Sequence, residues 1–166
     1  MLLEAAEVPS PAGVWSLVAS PRGLCLVHGG ADWDEVGRAL HRRFGPMSLA
    51  DAKDPFEAVS RLRAYFAGEL GAIDSLPVDT GGTDFQQLVW AALRRIRAGR
   101  TSCYSDLAKA IGRPAATRAV GAANGANPVA VVIPCHRVIG KDGGLTGYGG
   151  GLERKAWLLR HEGVLF

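Results

Sequence analysis

Ile133-Pro134-Cys135-His136-Arg137-Val138 is the stretch on which the reading of this chain turns. A cysteine and a histidine stand side by side, with a proline before them and an arginine after. The run leading in, Val129-Ala130-Val131-Val132-Ile133, is apolar and mostly β-branched, which predicts a buried strand or a tight extended segment. Pro134 has no N–H to give a ladder, so it should end that segment and deliver Cys135 at its rim. A thiol attacks at neutral pH only when nearby positive charge or a base favours the thiolate, and His136 and Arg137 are placed in sequence to supply that charge. Adjacency alone does not decide the matter, because side chains at i and i+1 diverge on a strand. A structural cysteine buried beside a polar loop residue accounts for the same six residues.

Working outward, Asn124-Gly125-Ala126-Asn127-Pro128 reads as a turn that feeds the cysteine segment, with Asn side chains bonding local backbone. Before it, the pattern predicts a helix over 104–111, capped by Ser102 and closed by Gly112, and a second over 114–123 that starts at Pro114. The pair has a helix-turn-helix shape. Its second helix is mostly Ala and Gly, with Arg118 as its one long side chain. Small residues let a helix approach a surface closely, so Arg118 reads either as a side chain reaching into a groove or as a solvent-facing charge on a closely packed helix. Thr83 or Asp84 caps an earlier helix whose period is carried by Phe85, Leu88, Val89, Ala92, Leu93 and Ile96, ended by Gly99. On the far side of Cys135, Lys141-Asp142-Gly143-Gly144 forms a turn. The glycine-rich Thr146-Gly147-Tyr148-Gly149-Gly150-Gly151 follows, where bare backbone can approach a flat ligand and Tyr148 can wall a pocket. It lacks the lysine pattern of a phosphate loop. An amphipathic helix over 152–161 precedes Glu162-Gly163.

The N-terminal half reads differently. Two strands, 14–19 and 24–28, flank Ser20-Pro21-Arg22-Gly23 as a β-hairpin, with Cys25 an inert core residue. Trp33, Val36, Leu40 and Phe44 line one face of a helix over 32–44. Residues 45–53 hold a loop and a short strand. Asp54-Pro55 opens a further helix with Phe56, Val59, Leu62, Tyr65 and Phe66 as its buried stripe. Residues 70–82, rich in Gly and Pro, read as a linker with few positions that could pack. The expected organisation is two small α/β domains, 1–78 and 79–166.

The 166 residues carry 48% hydrophobic side chains and a net charge of +3. Residues 1–79 hold 7 Lys+Arg against 11 Asp+Glu, net −4, and residues 80–166 hold 12 against 5, net +7, which together give the +3 of the whole chain. A basic half containing the thiol segment points to a polyanionic partner there, with chance surface charge as the other reading. Three widely spaced cysteines, Cys25, Cys103 and Cys135, argue against a disulfide framework and match no zinc spacing. No apolar run is long enough to cross a bilayer and no signal pattern opens the chain, so the expected compartment is the cytoplasm, with no membrane partner.

Pro134-Cys135-His136-Arg137-Val138, approached through Asn127-Pro128 and followed by Gly147-Tyr148-Gly149-Gly150-Gly151-Leu152, resembles the O6-alkylguanine-DNA alkyltransferases, also called methylated-DNA–protein-cysteine methyltransferases. The resemblance runs from about Gly82 to Gly163 and takes in Gly82-Thr83-Asp84-Phe85-Gln86, Tyr104, Arg118-Ala119-Val120-Gly121 and Asn124-Gly125. It implies a ribonuclease-H-like N-terminal α/β scaffold domain and a C-terminal winged helix-turn-helix-like domain. It also implies repair of double-stranded DNA: the helix-turn-helix enters the minor groove, O6-alkylguanine is flipped out, and the alkyl group passes once, irreversibly, to Cys135. By that resemblance His136 activates the thiol through a water, Glu162 orients His136, Asn127 braces the active-site turn, and Tyr104 donates a proton to the leaving base. Arg118 fills the vacated stack beside Thr117, Ala119 and Gly121 on the DNA-binding helix, while Tyr148, Gly149 and Val138 form the substrate pocket. No metal or organic cofactor is implied, and the expected state is a monomer. The chain departs from some relatives in having Gly149 where a serine can stand, in placing Cys103 before Tyr104, and in lacking ligands for an N-terminal zinc.

Overall fold

The computed structural model describes residues 1–30, 32–145, 147–148 and 151–164. The chain forms two compact units, Met1–Asp79 and Thr80–Phe166.

The first unit is built on a four-stranded sheet of order β3-β2-β1-β4, with β1 Leu2–Ser10, β2 Gly13–Ser20, β3 Gly23–Gly29 and β4 Ser48–Asp51. The two hairpins are antiparallel and β4 runs parallel to β1. The same four-residue pattern, Ser-Pro-x-Gly, makes both hairpin turns. Ser10 Oγ accepts from Ala12 N at 3.1 Å and Ser20 Oγ accepts from Arg22 N at 3.1 Å, so each serine closes its own turn. The hairpin of β2 and β3 is the expected one. Strand β1 was not expected, because its buried residues do not alternate (Leu3 and Ala5 lie on one face and Val8, paired with Trp15, on the other) and Ala and Glu fill the rest.

Helix α1, Trp33–Phe44, is capped by Asp32, which accepts from Asp34 N and Glu35 N. Its Val36 and Leu40 pack on Leu3, Ala5, Val18 and Cys25. Helix α2, Ala58–Phe66, serves residues of the opposite parity, where Phe66 stacks on Trp15 with ring centroids 6.1 Å apart. With a helix on each face, β2 is buried continuously from Trp15 to Ser20. The expected helix from Pro55 instead starts at Ala58 with Glu57 in the N-cap position; Asp54 still accepts from Val59 N at 2.8 Å, but across a kink in which Phe56 and Glu57 take positive φ. That kink turns Phe56 out, so it is 41% exposed and leaves the predicted stripe. The 70–82 stretch also packs more than a linker should. Ile73 and Leu76 are buried, and Leu24 pairs with Val78 as a short parallel bridge. Gly23 is required at that contact, because a Cβ there would lie 2.8 Å from the Pro77 backbone.

The second unit carries α3 Asp84–Leu93, α4 Tyr104–Ala110, α5 Thr117–Gly125 and α6 Leu152–His161. Thr83 forms a capping box with Gln86, and Trp90 Nε1 donates to Ala123 O at 2.8 Å, tying α3 to α5. Helix α3 ends several residues before Gly99, and Leu88 on it is 38% exposed rather than buried. Cys103, not Ser102, occupies the start of α4. Ser102 instead joins the cysteine segment, donating its N–H to Arg137 O and accepting from Ile139 N, both at 2.9 Å. Gly112 at φ 74 closes α4 and leads into α5, the expected helix-turn-helix, although α5 begins three residues after Pro114.

The predicted strand 129–133 is a tight turn. Val132 N donates to Ala130 O at 2.8 Å and Ile133 N to Val129 O at 3.0 Å, while buried Val131 takes φ 71. An apolar β-branched run reads as strand because burial is all that pattern encodes. Here the side chains are buried around a reversal instead, and the left-handed Val131 is the cost.

Candidate active site

The turn over 129–133 delivers Cys135 to the start of one 3-10 turn, Cys135–Arg137, inside the unit rather than at a rim. Cys135 is only 6% exposed. Asn127 braces the approach at both ends, accepting from Val129 N at 3.0 Å and donating through Nδ2 to Ile133 O at 2.8 Å. Asn124 reaches up from α5 to donate to Cys135 O at 3.5 Å. Burial pushes the Cys135 thiol up, opposed by hydrogen bonding from Asn127 and by the Lys155 charge. The balance leaves a protonated thiol at rest, so attack requires a group that takes its proton.

That group lies next along the turn. His136 is fully buried, and its Nε2 stands 2.9 Å from Glu162 Oε2 at the end of α6. Burial holds the imidazole pKa below its ordinary value, with Arg137 and Lys155 adding to that direction and Glu162 opposing it. A neutral ring that donates from Nε2 to the carboxylate presents Nδ1 as an acceptor, and that atom is buried without a hydrogen-bond partner among the described residues. Burial alone would raise Glu162, but hydrogen bonds from Arg137 and His136 hold its carboxyl well below the usual range. Arg137 grips it with two bonds of 2.8 Å, Nε to Oε1 and Nη2 to Oε2. A cysteine, a neutral base and an ionised orienter therefore follow one another in a buried setting suited to proton transfer from sulfur.

The remaining expected residues distribute around this group. Tyr148 is half-buried, and its hydroxyl is buried without a partner among the described residues; burial raises that hydroxyl well above its ordinary value, and a thiolate at Cys135 would act in the same direction. Val138 is fully buried, and its carbonyl accepts from Lys155 Nζ at 2.6 Å. Gly149 lies outside the described residues. Tyr104, at the first turn of α4, is half-buried with its ring over Gly121, whose Cβ position lies 3.9 Å from Tyr104 Cδ1. On α5, Arg118 and Ala119 are exposed and Thr117 and Gly121 half-buried, so the exposed face of this helix carries small residues and one guanidinium. Among the described residues no group of three or more His, Cys, Asp or Glu side chains is placed to hold a metal.

Sequence reasoning missed Lys155, gave Arg137 only a general role as nearby charge, and took Asn124 for part of a loop. The signal for Lys155 was present: it precedes Leu158, Leu159 and Glu162 by three, four and seven residues, the spacing of one helical face. Asn124 shares the α5 face of Val120 in the same way. Nothing local marked Arg137 as the grip on Glu162, because that contact spans 25 residues.

Comparison with known proteins bears on this geometry directly. A family model described as 6-O-methylguanine DNA methyltransferase, DNA binding domain, matches residues 84–164. A methylated-DNA–protein-cysteine methyltransferase of Mycolicibacterium paratuberculosis is 57% identical over 148 residues, 87% of this chain and 89% of the relative. The Shigella flexneri protein of the same name is 50% identical over 140 residues, 81% of this chain and 82% of the relative. The chain belongs to the methylated-DNA–protein-cysteine methyltransferase family. The matched region of this family member contains Asn127, Cys135, His136, Arg137, Lys155 and Glu162, the whole of the buried group described above. Its fold agrees with that of solved relatives. The crystal structure of Mycobacterium tuberculosis OGT in complex with DNA superposes with a TM-score of 0.79 at 39% identity, covering 98% of this chain and 92% of that one. An O6-methylguanine-DNA methyltransferase from Pyrococcus kodakaraensis gives a TM-score of 0.70 at 25% identity.

Proposed function

We propose that this protein repairs DNA by moving the alkyl group of O6-alkylguanine onto Cys135 in one irreversible step. The observation that carries this reading is the buried series Cys135, His136 and Glu162, with His136 neutral, bonded to Glu162 at 2.9 Å and its Nδ1 without a partner among the described residues, in a chain of this family. Cys25 and Cys103 lack such a setting. Cys25 donates to Val18 O within a sheet core and is pushed up to about 11 by burial, and Cys103 lies against Ser105 Oγ at 3.3 Å.

In this reading the flipped base enters beside Tyr148 and Val138. The Cys135 proton passes to His136 Nδ1, directly or through a water, while Sγ attacks the alkyl carbon; the S–C bond forms as the C–O6 bond breaks. The Tyr104 hydroxyl gives a proton to the departing guanine, which leaves neutral, and the proton taken up by His136 returns through solvent to the Tyr104 phenolate, so the thiol proton ends in effect on the base. The thioether has no route back, which limits each chain to one turnover. The exposed face of α5 supports docking in the minor groove of double-stranded DNA, with Arg118 filling the space the base leaves. Residues 1–78 then serve as scaffold and 79–166 as the DNA-binding and transfer domain. One chain supplies every group of the series, which supports action as a monomer. Among the described residues no helix is long and apolar enough to cross a membrane. The proposed place of action is on DNA in the cytoplasm.

Intact-protein mass spectrometry after incubation with a duplex carrying one O6-methylguanine tests the reading. The expected result is one added methyl per chain, mapped to Cys135 and absent from Cys135→Ser, which still binds the duplex. An unmodified wild-type chain, or a methyl on another residue, overturns it.

A further inference from the structure

Glu162 is a carboxylate in an unfavourable place. It caps the C-terminus of α6, where the helix dipole is negative, and it is 4% exposed. Both features disfavour its charge, yet His136 depends on it. The compensation comes from Arg137. Its fork takes both carboxylate oxygens, and Oε2 is the same oxygen that His136 Nε2 meets. The third arm, Nη1, donates to Ile96 O at 2.5 Å in the segment after α3, so the guanidinium is itself fixed and only 3% exposed. A lysine would give the same charge without the planar fork. The charged groups that act on the His136 ring are Glu162 at the end of α6, Lys155 within α6 and Arg137 from its own turn, while Cys135, Arg154 and Glu162 act on Tyr148. With Arg137 and Glu162 cancelling, a neutral ring avoids placing a second cation beside Lys155.

We propose that Arg137 is a positioning residue of the transfer reaction: its bidentate grip keeps the Glu162 carboxylate charged and in one orientation, which holds His136 neutral with Nδ1 left to take the Cys135 proton. This rests on the reading of Cys135 as the alkyl acceptor. Arg137 touches neither the base nor the sulfur; it acts through Glu162.

The test is the single-turnover rate of Cys135 methylation by a duplex with one O6-methylguanine, followed between about pH 5 and 9 in wild type, Arg137→Gln and Arg137→Lys. Removing the cation in Arg137→Gln frees Glu162 to pair with imidazolium, so the acid limb of the profile moves up by about one pH unit. Arg137→Lys keeps the charge and loses the fork, so the acid limb stays in place while the rate falls about tenfold through lost orientation. A merely structural arginine would lower thermal stability and leave the acid limb unmoved. A folded Arg137→Gln protein with the wild-type limb overturns the proposal. So does Arg137→Lys transferring at the wild-type rate, an arm that decides alone if the glutamine variant does not fold. A wild-type chain that takes up no methyl overturns the reading of Cys135 and this inference together, which is a different outcome from a transferring wild type whose variants match it.

Discussion

Asn127 shows how much one side chain settles in this protein. It satisfies Val129 N and Ile133 O, closing the turn that the strained Val131 would otherwise open, and it favours the thiolate form of Cys135. Replacing it with alanine leaves the buried Val129 N–H without its acceptor and takes from the Ile133 carbonyl one of its two donors, the other being Cys135 N at 2.8 Å, so Asn127→Ala should lose about 2 kcal/mol of stability in urea titrations. The same change removes a donor aimed at developing charge on sulfur, and the single-turnover rate should fall by about a hundredfold. A variant that loses stability but transfers at the wild-type rate would separate the brace from the chemistry. At this scale the sequence was readable for residue types and mute about partners. Cys25 was legible as inert because apolar neighbours flank it in sequence. Lys155 was hidden because burying an ammonium depends on Val138 O, 17 residues away.

The start of α3 and the whole of α6 show where local pattern suffices, whereas α3 stops short of Gly99 and α5 starts three residues after Pro114. The capping box at Thr83 and the bounds of α6 follow from side chains within four residues of one another, so they were visible in the chain. Phe56 fails for a matching reason: its place in the stripe assumed an unbroken helix from Pro55, and the positive φ values at 56 and 57 rotate it outward. Helix α5 carries its own prediction. Ala119 is exposed, so Ala119→Glu should change stability by no more than about 0.5 kcal/mol, checked by thermal melting. It places a carboxylate on the face proposed to meet phosphate-lined DNA, so duplex binding measured by fluorescence anisotropy should weaken by at least about tenfold. Unchanged binding would remove α5 from the interface.

For the whole molecule, the buried relay links folding to pH. His136 is held below its ordinary 6.5, so on acidification the unfolded chain takes up a proton that the folded chain refuses. The stability from a depressed group is present above the unfolded value and is lost as pH falls towards the folded one. Melting temperature should therefore decline as pH drops below about 6.5, and Glu162, also depressed, should extend the decline below about 4.3. His136→Gln should flatten the first part of that curve and leave the second, and melting curves across pH will check both. The sequence by itself determined elements built from near neighbours: the β2–β3 hairpin, the caps at Asp32 and Thr83, the extent of α6, and the run of residue types around Cys135 that carries the chemistry. Only the tertiary structure decided that residues 129–133 reverse direction, that Ile73 and Leu76 are buried, and that Arg137 holds Glu162. Those outcomes depend on contacts such as His136 with Glu162 across 26 residues and Arg137 with Ile96 across 41. Periodicity and capping act over one or two turns of chain, whereas a buried charge finds its partner only when distant segments pack together.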